Sequence, residues 1–137
     1  MAGYSDTPLV KKLGIKEGFR IVLVNAPENF RQELWPLSEN VSVATRLVKP
    51  LDLILLFSDA EKRLKRDFAR LAAKLDSNGM LWVAWPKKSS GVLTDLSFDK
   101  VQRVGLEHGL VDVKICAVND VWSGLKFVYR LKDRPRP

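Results

Sequence analysis

The chain has 137 residues, of which 46% are hydrophobic and 28% are charged, and its formal net charge is +7. This length and composition are typical of one soluble domain whose core needs no disulfide or metal ion for stability. One cysteine and one histidine exclude a disulfide framework within the chain and a zinc or iron–sulfur site built from these residues. We expect one α/β domain over residues 1–131 and a basic, disordered tail over residues 132–137.

Neither a membrane span nor a secretory leader is predicted. No apolar run approaches the length of a membrane span: residues 53–57, for example, lie between Asp52 and Asp59, whereas a transmembrane helix needs about 20 apolar residues. Lys11 and Lys12 follow a short, mostly polar opening, which is not the pattern of a signal peptide. We therefore expect a cytoplasmic protein without a membrane partner.

The positive charge is concentrated in two segments. Six basic and two acidic residues lie in 61–75, and four basic and one acidic residue lie in 130–137, so the rest of the chain is neutral overall. A solvated helix face and a solubilising tail are the favoured interpretation. Nucleic-acid binding stays open as an alternative, because both segments could lie along phosphates. The residues of that alternative are Lys62, Arg66, Arg70, Arg134 and Arg136.

The first half of the chain predicts two short helices and two strands. In chain order they are a helix from Thr7-Pro8 to Gly14, a strand over 19–24, a helix around 30–34 and a weaker strand over 41–48. Proline suits the first helical position and glycine the C-terminal cap. The nearly continuous apolar run of 19–24 is typical of a strand that is covered on both faces.

The second half predicts four strands and two helices. In chain order they are a strand over 53–57, a helix that follows Ser58 and ends at Asn78-Gly79, a strand over 80–85, a helix from Thr94 or Ser97 to Gly109, and strands over 111–118 and 125–131. Ser58 and Glu61 have the spacing of a capping box. Phe98, Val101 and Val104 are expected to point inward from the last helix. The last two strands are predicted to form an antiparallel hairpin, because the joint between them is too short for a helix.

Strands that alternate with helices predict a three-layer, Rossmann-like α/β fold with a mostly parallel sheet. The closing hairpin adds an antiparallel strand to that sheet. The order strand–helix–strand–helix–hairpin is similar to the second half of class I methyltransferase domains. Because folds of this kind host many functions, the similarity alone assigns none.

The loops after the strands are the predicted binding region, because ligands of open α/β sheets bind beyond the carboxyl ends of the strands. Two aromatic rings and two ammonium groups there would suit a phosphate-bearing or aromatic ligand. The alternative is that the tryptophans cover the sheet edge and the lysines are ordinary loop charges. The candidate ligand-binding residues are Asn25, Trp85, Lys87, Lys88, Ser89, Trp122 and Ser123.

No nucleotide-binding motif is present in the sequence. The glycines never have the spacing of a dinucleotide fingerprint or a P-loop. The first strand is followed by Asn25-Ala26-Pro27 rather than by glycines, and Arg46 follows the second, where an acidic residue would hold ribose hydroxyls. We therefore expect no cofactor. The enzyme alternative is a reduced methyltransferase-like domain that binds S-adenosylmethionine in an altered pose.

No catalytic residue is predicted. His108 comes directly before the helix-ending Gly109, a position that favours a role at the helix end. Cys116 lies within a strand, which favours a buried, inert thiol. Asp95 and Asp99 lie at a helix start, where carboxylates cap and complement the helix dipole.

Several blocks of the chain together resemble a known family. The blocks are Gly3-Tyr4-Ser5, Thr7–Leu9, Lys11–Gly14, Asn25–Pro27, Leu81–Val92, Thr94–Leu96, Gly109–Val118 and Trp122–Lys126. The family that they resemble is an uncharacterised bacterial one, catalogued as domain of unknown function 3052. The resemblance implies a bacterial cytoplasmic protein, and it supplies no catalytic residues. We expect a small, non-enzymatic α/β protein that binds a small anionic ligand or a protein partner.

Overall fold

The computed structural model describes residues 7–134, in which six strands form one sheet. The strands are β1 (Arg20–Val24), β2 (Ser42–Val43), β3 (Leu51–Phe57), β4 (Leu75–Pro86), β5 (Leu110–Ala117) and β6 (Trp122–Tyr129). Their order across the sheet is β2-β1-β3-β4-β6-β5. Strands β1 to β4 are parallel, and β6 is antiparallel to β4 and to β5. The predicted fold class, a mostly parallel α/β sheet that closes with an antiparallel hairpin, is confirmed.

Helices cover both faces of the sheet. The α-helices are α1 (Leu9–Leu13), α2 (Glu61–Ala72) and α3 (Phe98–Glu107), and short 3-10 helices span Phe30–Leu34, Lys88–Ser90 and Leu131–Asp133. Helices α2 and α3 pack on one face, and α1 and the 3-10 helix Phe30–Leu34 pack on the other. Strand β4 supplies both cores, because Leu81, Val83 and Trp85 point to the α2–α3 face and Trp82 to the opposite face. This two-sided burial explains the continuous apolar runs in the sequence.

The start of α2 corrects one prediction. The N-terminal cap residue is Ala60, and Ser58 Oγ donates to Ala60 O at 3.2 Å instead of capping the helix. The backbone N–H of Glu61 donates instead to Asp95 Oδ1 at 2.8 Å. The cap therefore comes from the loop before α3, which no local spacing in the sequence could show.

The region around Gly79 corrects a second prediction, because α2 ends at Ala72 and Asn78-Gly79 lies inside β4. A Cβ atom on Gly79 would lie 2.9 Å from the carbonyl oxygens of Leu51 and Asp52. Glycine therefore allows β4 to approach β3 closely, next to an irregularity in their register.

Three smaller differences concern element ends. Pro8 is the N-terminal cap residue of α1 rather than its first residue. The strand predicted over 41–48 is reduced to the two residues of β2. Phe98 was expected to point inward but is 37% exposed, because it opens the first turn of α3, whereas Val101 and Val104 are buried as predicted.

The basic tail is described as far as Arg134. A 3-10 helix spans Leu131–Asp133, and Arg134 Nε donates to Tyr129 O at 3.0 Å. Residues 1–6 and 135–137 lie outside the described residues. The disorder expected for the end of the tail stays a prediction.

Candidate functional site

The carboxyl ends of β1 and β3 are linked by one side chain, Asn25. This residue follows β1 in a left-handed conformation with φ of 58°, which asparagine adopts more readily than most residues. Its Nδ2 atom donates to Phe57 O and to Asp67 Oδ2, both at 3.4 Å. The amide therefore ties the end of β1 to the end of β3 and to α2.

A cavity of about 400 Å³ opens beside this link, and we call it the arginine cavity. It lies at the carboxyl ends of the parallel strands, beyond which open α/β sheets bind ligands. Its lining residues are Asn25, Phe57, Ser58, Asp59, Arg63, Arg66, Asp67, Arg70 and Trp122.

Buried Asp67 organises the charges of the arginine cavity. Asp67 is only 3% exposed, and its Oδ1 atom lies 3.2 Å from a terminal nitrogen of Arg70 and 3.5 Å from Arg66 Nε. The two arginine side chains are 50% and 70% exposed respectively. Arg63 forms an ion pair with Asp59. Three guanidinium groups thus face two carboxylates, and those of Arg66 and Arg70 share one of them.

Two aromatic residues, Phe57 and Trp122, line the arginine cavity next to the sheet, and Phe57 is almost completely buried. The ring of Phe57 lies 5.0 Å from that of Trp122, at an interplanar angle of 89°. Phe30 packs edge-on against Phe57 at 4.8 Å from the other side. Trp122 is half-buried, so part of it is available to a ligand.

A second cavity of about 410 Å³ lies on the α3 side of the sheet, and we call it the hairpin cavity. Trp85 is 5% exposed and packs with the core under α3. The loop after β4 is held in place because Lys87 N donates to Val121 O at 2.8 Å and Ser90 Oγ donates to Lys87 O at 2.6 Å. The residues that line this cavity are Trp85, Pro86, Lys87, Lys88, Leu96, Ser97, Phe98, Asp99, Ile115 and Ser123.

The structure does not bring the seven predicted ligand-binding residues together. Asn25 and Trp122 line the arginine cavity, whereas Trp85, Lys87, Lys88 and Ser123 line the hairpin cavity. The division follows from strand geometry, because neighbouring residues of a strand point to opposite faces. Trp85 pairs with Ser123 and faces α3, while Trp122 packs with the core on the opposite face. Ser89 lies exposed in the 3-10 helix Lys88–Ser90 and lines neither cavity.

The residues proposed for nucleic-acid binding occupy two places. Lys62 is exposed on α2, and Arg66 and Arg70 on the same helix line the arginine cavity. Arg134 lies in the tail, whose start is close to the end of α2, because Tyr129 Oη donates to Ala72 O at 2.7 Å. Arg136 lies outside the described residues.

Sequence reasoning missed Asp67 and Arg63 as cavity residues. A signal was present, because positions 63, 66, 67 and 70 recur at intervals of three and four residues and therefore share one face of a helix. The acidic member of this face was counted only as a charge that offsets the basic residues of the segment.

The candidates for acid–base or nucleophilic chemistry are dispersed. His108 Nδ1 lies 2.7 Å from Val104 O at the end of α3, and Asp95 caps α2. Burial raises the pKa of the Cys116 thiol, although Lys12 and Lys114 act in the opposite direction. Over residues 7–134, no group of three or more His, Cys, Asp and Glu residues could hold a metal ion. No helix within that range is long and apolar enough to span a membrane.

Solved structures with the same fold include methyltransferases. Magnesium protoporphyrin IX methyltransferase from Synechocystis PCC 6803, with bound SAM, matches with a TM-score of 0.59 at 10% identity, over 89% of this chain and 74% of that chain. Precorrin-6y C5,15-methyltransferase from Geobacter metallireducens matches with a TM-score of 0.58 at 9% identity, over 89% and 86% of the two chains. PigF with SAH matches with a TM-score of 0.65 at 8% identity, over 90% of this chain and 60% of that chain. No family model and no curated protein sequence matches the chain.

The residues present do not fit an adenosyl cofactor. An adenosyl site on this fold requires glycines after the first strand and an acidic residue after the second. Here Asn25-Ala26-Pro27 follows β1, Ala44-Thr45-Arg46 follows β2, and the segment after β1 forms only the short 3-10 helix Phe30–Leu34. The side chain of Asn25 also spans the gap between the ends of β1 and β3. The chain therefore has the fold of class I methyltransferases, with different residues at the end of β1.

Proposed function

We propose that this protein is a non-enzymatic binding domain for a small ligand that carries a phosphate group and an aromatic ring. The ligand binds in the arginine cavity. The observation that carries the proposal is the pair Arg66 and Arg70, which one buried carboxylate holds in a cavity that the half-buried ring of Trp122 also lines.

Guanidinium groups suit phosphate because their planar arrangement of N–H donors matches two phosphate oxygens at once. The contacts of Arg66 and Arg70 with Asp67 each use one nitrogen, and both side chains line the cavity, so further N–H donors remain for a ligand. The volume of about 400 Å³ is within the range of small-molecule sites. Trp122 offers a ring for stacking, which favours a nucleotide-like ligand over inorganic phosphate.

The hairpin cavity supports the proposal less well, although Lys87 and Lys88 line it. Its tryptophan, Trp85, is almost completely covered by protein. A ligand could contact the lysine ammonium groups there but would find little aromatic surface on which to stack. We therefore assign the anionic ligand to the arginine cavity.

The test is a titration followed by the indole NMR signals of the four tryptophans. AMP, ATP, coenzyme A and S-adenosylmethionine are added separately, with inorganic phosphate as the reference anion. We expect a phosphate-bearing nucleotide to shift the Trp122 signal and to leave Trp85 unchanged. The Trp82 signal serves as an internal control, because Trp82 Nε1 donates to Leu13 O within the core at 2.9 Å.

Three results of this titration would contradict the proposal. The first is a response of Trp85 without Trp122, which would move the site to the hairpin cavity. The second is saturable binding of S-adenosylmethionine alone, which would favour the methyltransferase alternative. The third is the absence of any response to phosphate-bearing ligands at millimolar concentration.

Asp67→Asn is expected to strengthen binding of the phosphate-bearing ligand. The amide keeps an oxygen that can accept from Arg70 but removes a negative charge from the cavity, so the affinity should rise about tenfold at low salt. Isothermal calorimetry at 20 and 200 mM salt measures the effect, which should shrink at the higher concentration. Asp76→Asn, at the start of β4, removes the same charge outside the cavity; it is the matched control and should leave the affinity unchanged. Weaker binding by Asp67→Asn would mean that the carboxylate acts mainly by positioning the arginines.

A further inference from the structure

Four lysines that are far apart in the sequence meet on one surface of the protein. They belong to the part of the chain that is neutral overall, outside residues 61–75 and 130–137. The fold nevertheless collects them where α1 packs on the hairpin of β5 and β6. We call this surface the lysine face, and its members are Lys12, Lys16, Lys114 and Lys126.

Hydrogen bonds and strand register place Lys12, Lys114 and Lys126 together, and Lys16 lies near enough for its charge to lower the pKa of Lys126. Lys114 and Lys126 are direct cross-strand partners between β5 and β6. Lys126 also pairs with Trp82, which points toward the α1 side of the sheet. Lys114 Nζ donates to Lys12 O at 3.0 Å, and Lys12 Nζ donates to Ala117 O at 2.8 Å.

Three members of the lysine face have no ion-pair partner among the described residues. Within residues 7–134, no carboxylate forms an ion pair with Lys16, Lys114 or Lys126. Like charges that lie directly opposite each other on neighbouring strands destabilise a sheet. Burial lowers the pKa of Lys126, and the charges of Lys114 and Lys16 lower it further, which indicates that the ammonium groups repel one another.

An anion that binds across this surface would relieve the repulsion. Neighbouring strands lie about 4.8 Å apart, so Lys114 and Lys126 start from backbone positions close enough for both side chains to contact one phosphodiester strand. A nucleic-acid strand carries one negative charge about every 3.4 Å along the helix axis. Such a regular, dense row of charges suits a group of neighbouring lysines better than the more widely spaced carboxylates of an acidic protein surface.

We propose that the lysine face binds the phosphodiester backbone of a nucleic acid. The surface is distinct from the arginine cavity, which lies at the carboxyl ends of β1 and β3. Lysine ammonium groups act on phosphate as point charges, so the binding depends little on base sequence and falls steeply with salt.

Fluorescence anisotropy tests the proposal with three labelled probes: a 20-nucleotide RNA, a DNA strand of the same sequence and the corresponding DNA duplex. The variant Lys16→Gln/Lys114→Gln/Lys126→Gln should bind its preferred probe at least about tenfold more weakly at 50 mM salt. The slope of log affinity against log salt should fall by about two, because each lost phosphate contact removes about 0.7 to 0.9. Comparing the probes distinguishes RNA from DNA as the natural source of the backbone.

The matched control removes the same charge from α2 and the residues after it. Lys62→Gln/Lys65→Gln/Lys74→Gln should bind within about threefold of the wild type. An equal or larger loss of affinity in this control would overturn the proposal. The proposal would also be overturned if the wild-type protein bound none of the probes, a result that would favour an acidic protein as the partner.

Two measurements keep the result independent of folding defects. Amide signals of β5 and β6 in the wild-type protein should shift when the probe is added, and shifts confined to α2 would contradict the proposal. Lys126→Arg keeps the charge and should bind as the wild type does; a tenfold loss in this variant would contradict a purely electrostatic contact.

Discussion

Gly105→Ala is expected to lower the free energy of unfolding by about 2 to 3 kcal/mol, in the range of overpacked cores. Gly105 lies in α3, directly above the ring of Phe127 on β6. A methyl group at this position would overlap the Cε1 and Cδ1 atoms of that ring and lie 2.7 Å from its Cζ atom. Phe127 is completely buried and packs edge-on against Phe68, so the ring has no room to move away. The higher helix propensity of alanine offsets only about 1 kcal/mol of this cost.

Urea unfolding of four variants tests the explanation: the two single changes Gly105→Ala and Phe127→Leu, their combination, and Leu106→Ala. The double variant Gly105→Ala/Phe127→Leu should lose less free energy of unfolding than the two single changes lose together, because the smaller side chain makes room for the methyl group. Leu106→Ala is the control on the same helix and should cost less than either core change, because Leu106 is partly exposed. If Gly105→Ala were as stable as the wild type, the separation of α3 from the sheet could not be set by backbone-to-ring contact.

Apolar periodicity predicted the centre of the sheet because two-sided burial leaves a clear pattern. Residues 80–85 are apolar on both faces of the sheet, and the strand was correctly placed there. The first part of β4, Leu75–Gly79, was assigned to the helix end instead. Polar residues fill most of that segment, and only pairing of Leu75 with Leu51 extends the strand through it. Such pairing depends on a distant strand and leaves no local pattern.

For the candidate site, the sequence predicts the location at the sheet edge but not which side chains come together there. The loops after the strands do border two cavities, but Trp122 and Ser123 point to opposite faces although they are neighbours in sequence. Sequence proximity suggested one site, whereas the alternation of side chains along β6 produces two. Asp67 was missed because its effect is spatial: it is an acidic residue in a basic helix, and its burial beside Asn25 becomes visible only once β1 lies next to β3.

The same limitation applies to the charge of the chain. A count of charges along the sequence assigns the whole net positive charge to residues 61–75 and 130–137, and it leaves the rest of the chain neutral overall. Neutrality of a segment says nothing about the distribution of charge on a folded surface. Lys16 and Lys126 are 110 positions apart in the sequence, yet the charge of one lowers the pKa of the other. The fold therefore creates a basic surface that a count along the chain cannot detect.

Arg66→Ala/Arg70→Ala is expected to weaken binding of the phosphate-bearing ligand about 100-fold. Each charge-assisted hydrogen bond contributes about 1.5 kcal/mol or more, and the change also leaves the Asp67 carboxylate facing the phosphate without its partners. Arg66→Lys/Arg70→Lys keeps the charge but loses the planar donor pair, so the expected loss is smaller, about tenfold. Calorimetry with the nucleotide identified by the indole titration measures both losses.

Loss of binding must be separated from loss of the fold, because a buried carboxylate without an ion-pair partner destabilises a protein. The triple variant Arg66→Ala/Asp67→Asn/Arg70→Ala removes that carboxylate and should recover the stability without recovering the affinity. Lys87→Ala/Lys88→Ala removes equal charge from the hairpin cavity and should bind within about threefold of the wild type. If the lysine variant lost affinity while the arginine variants kept it, the ligand would lie in the hairpin cavity. If the triple variant regained both stability and affinity, the arginines would serve only to neutralise Asp67.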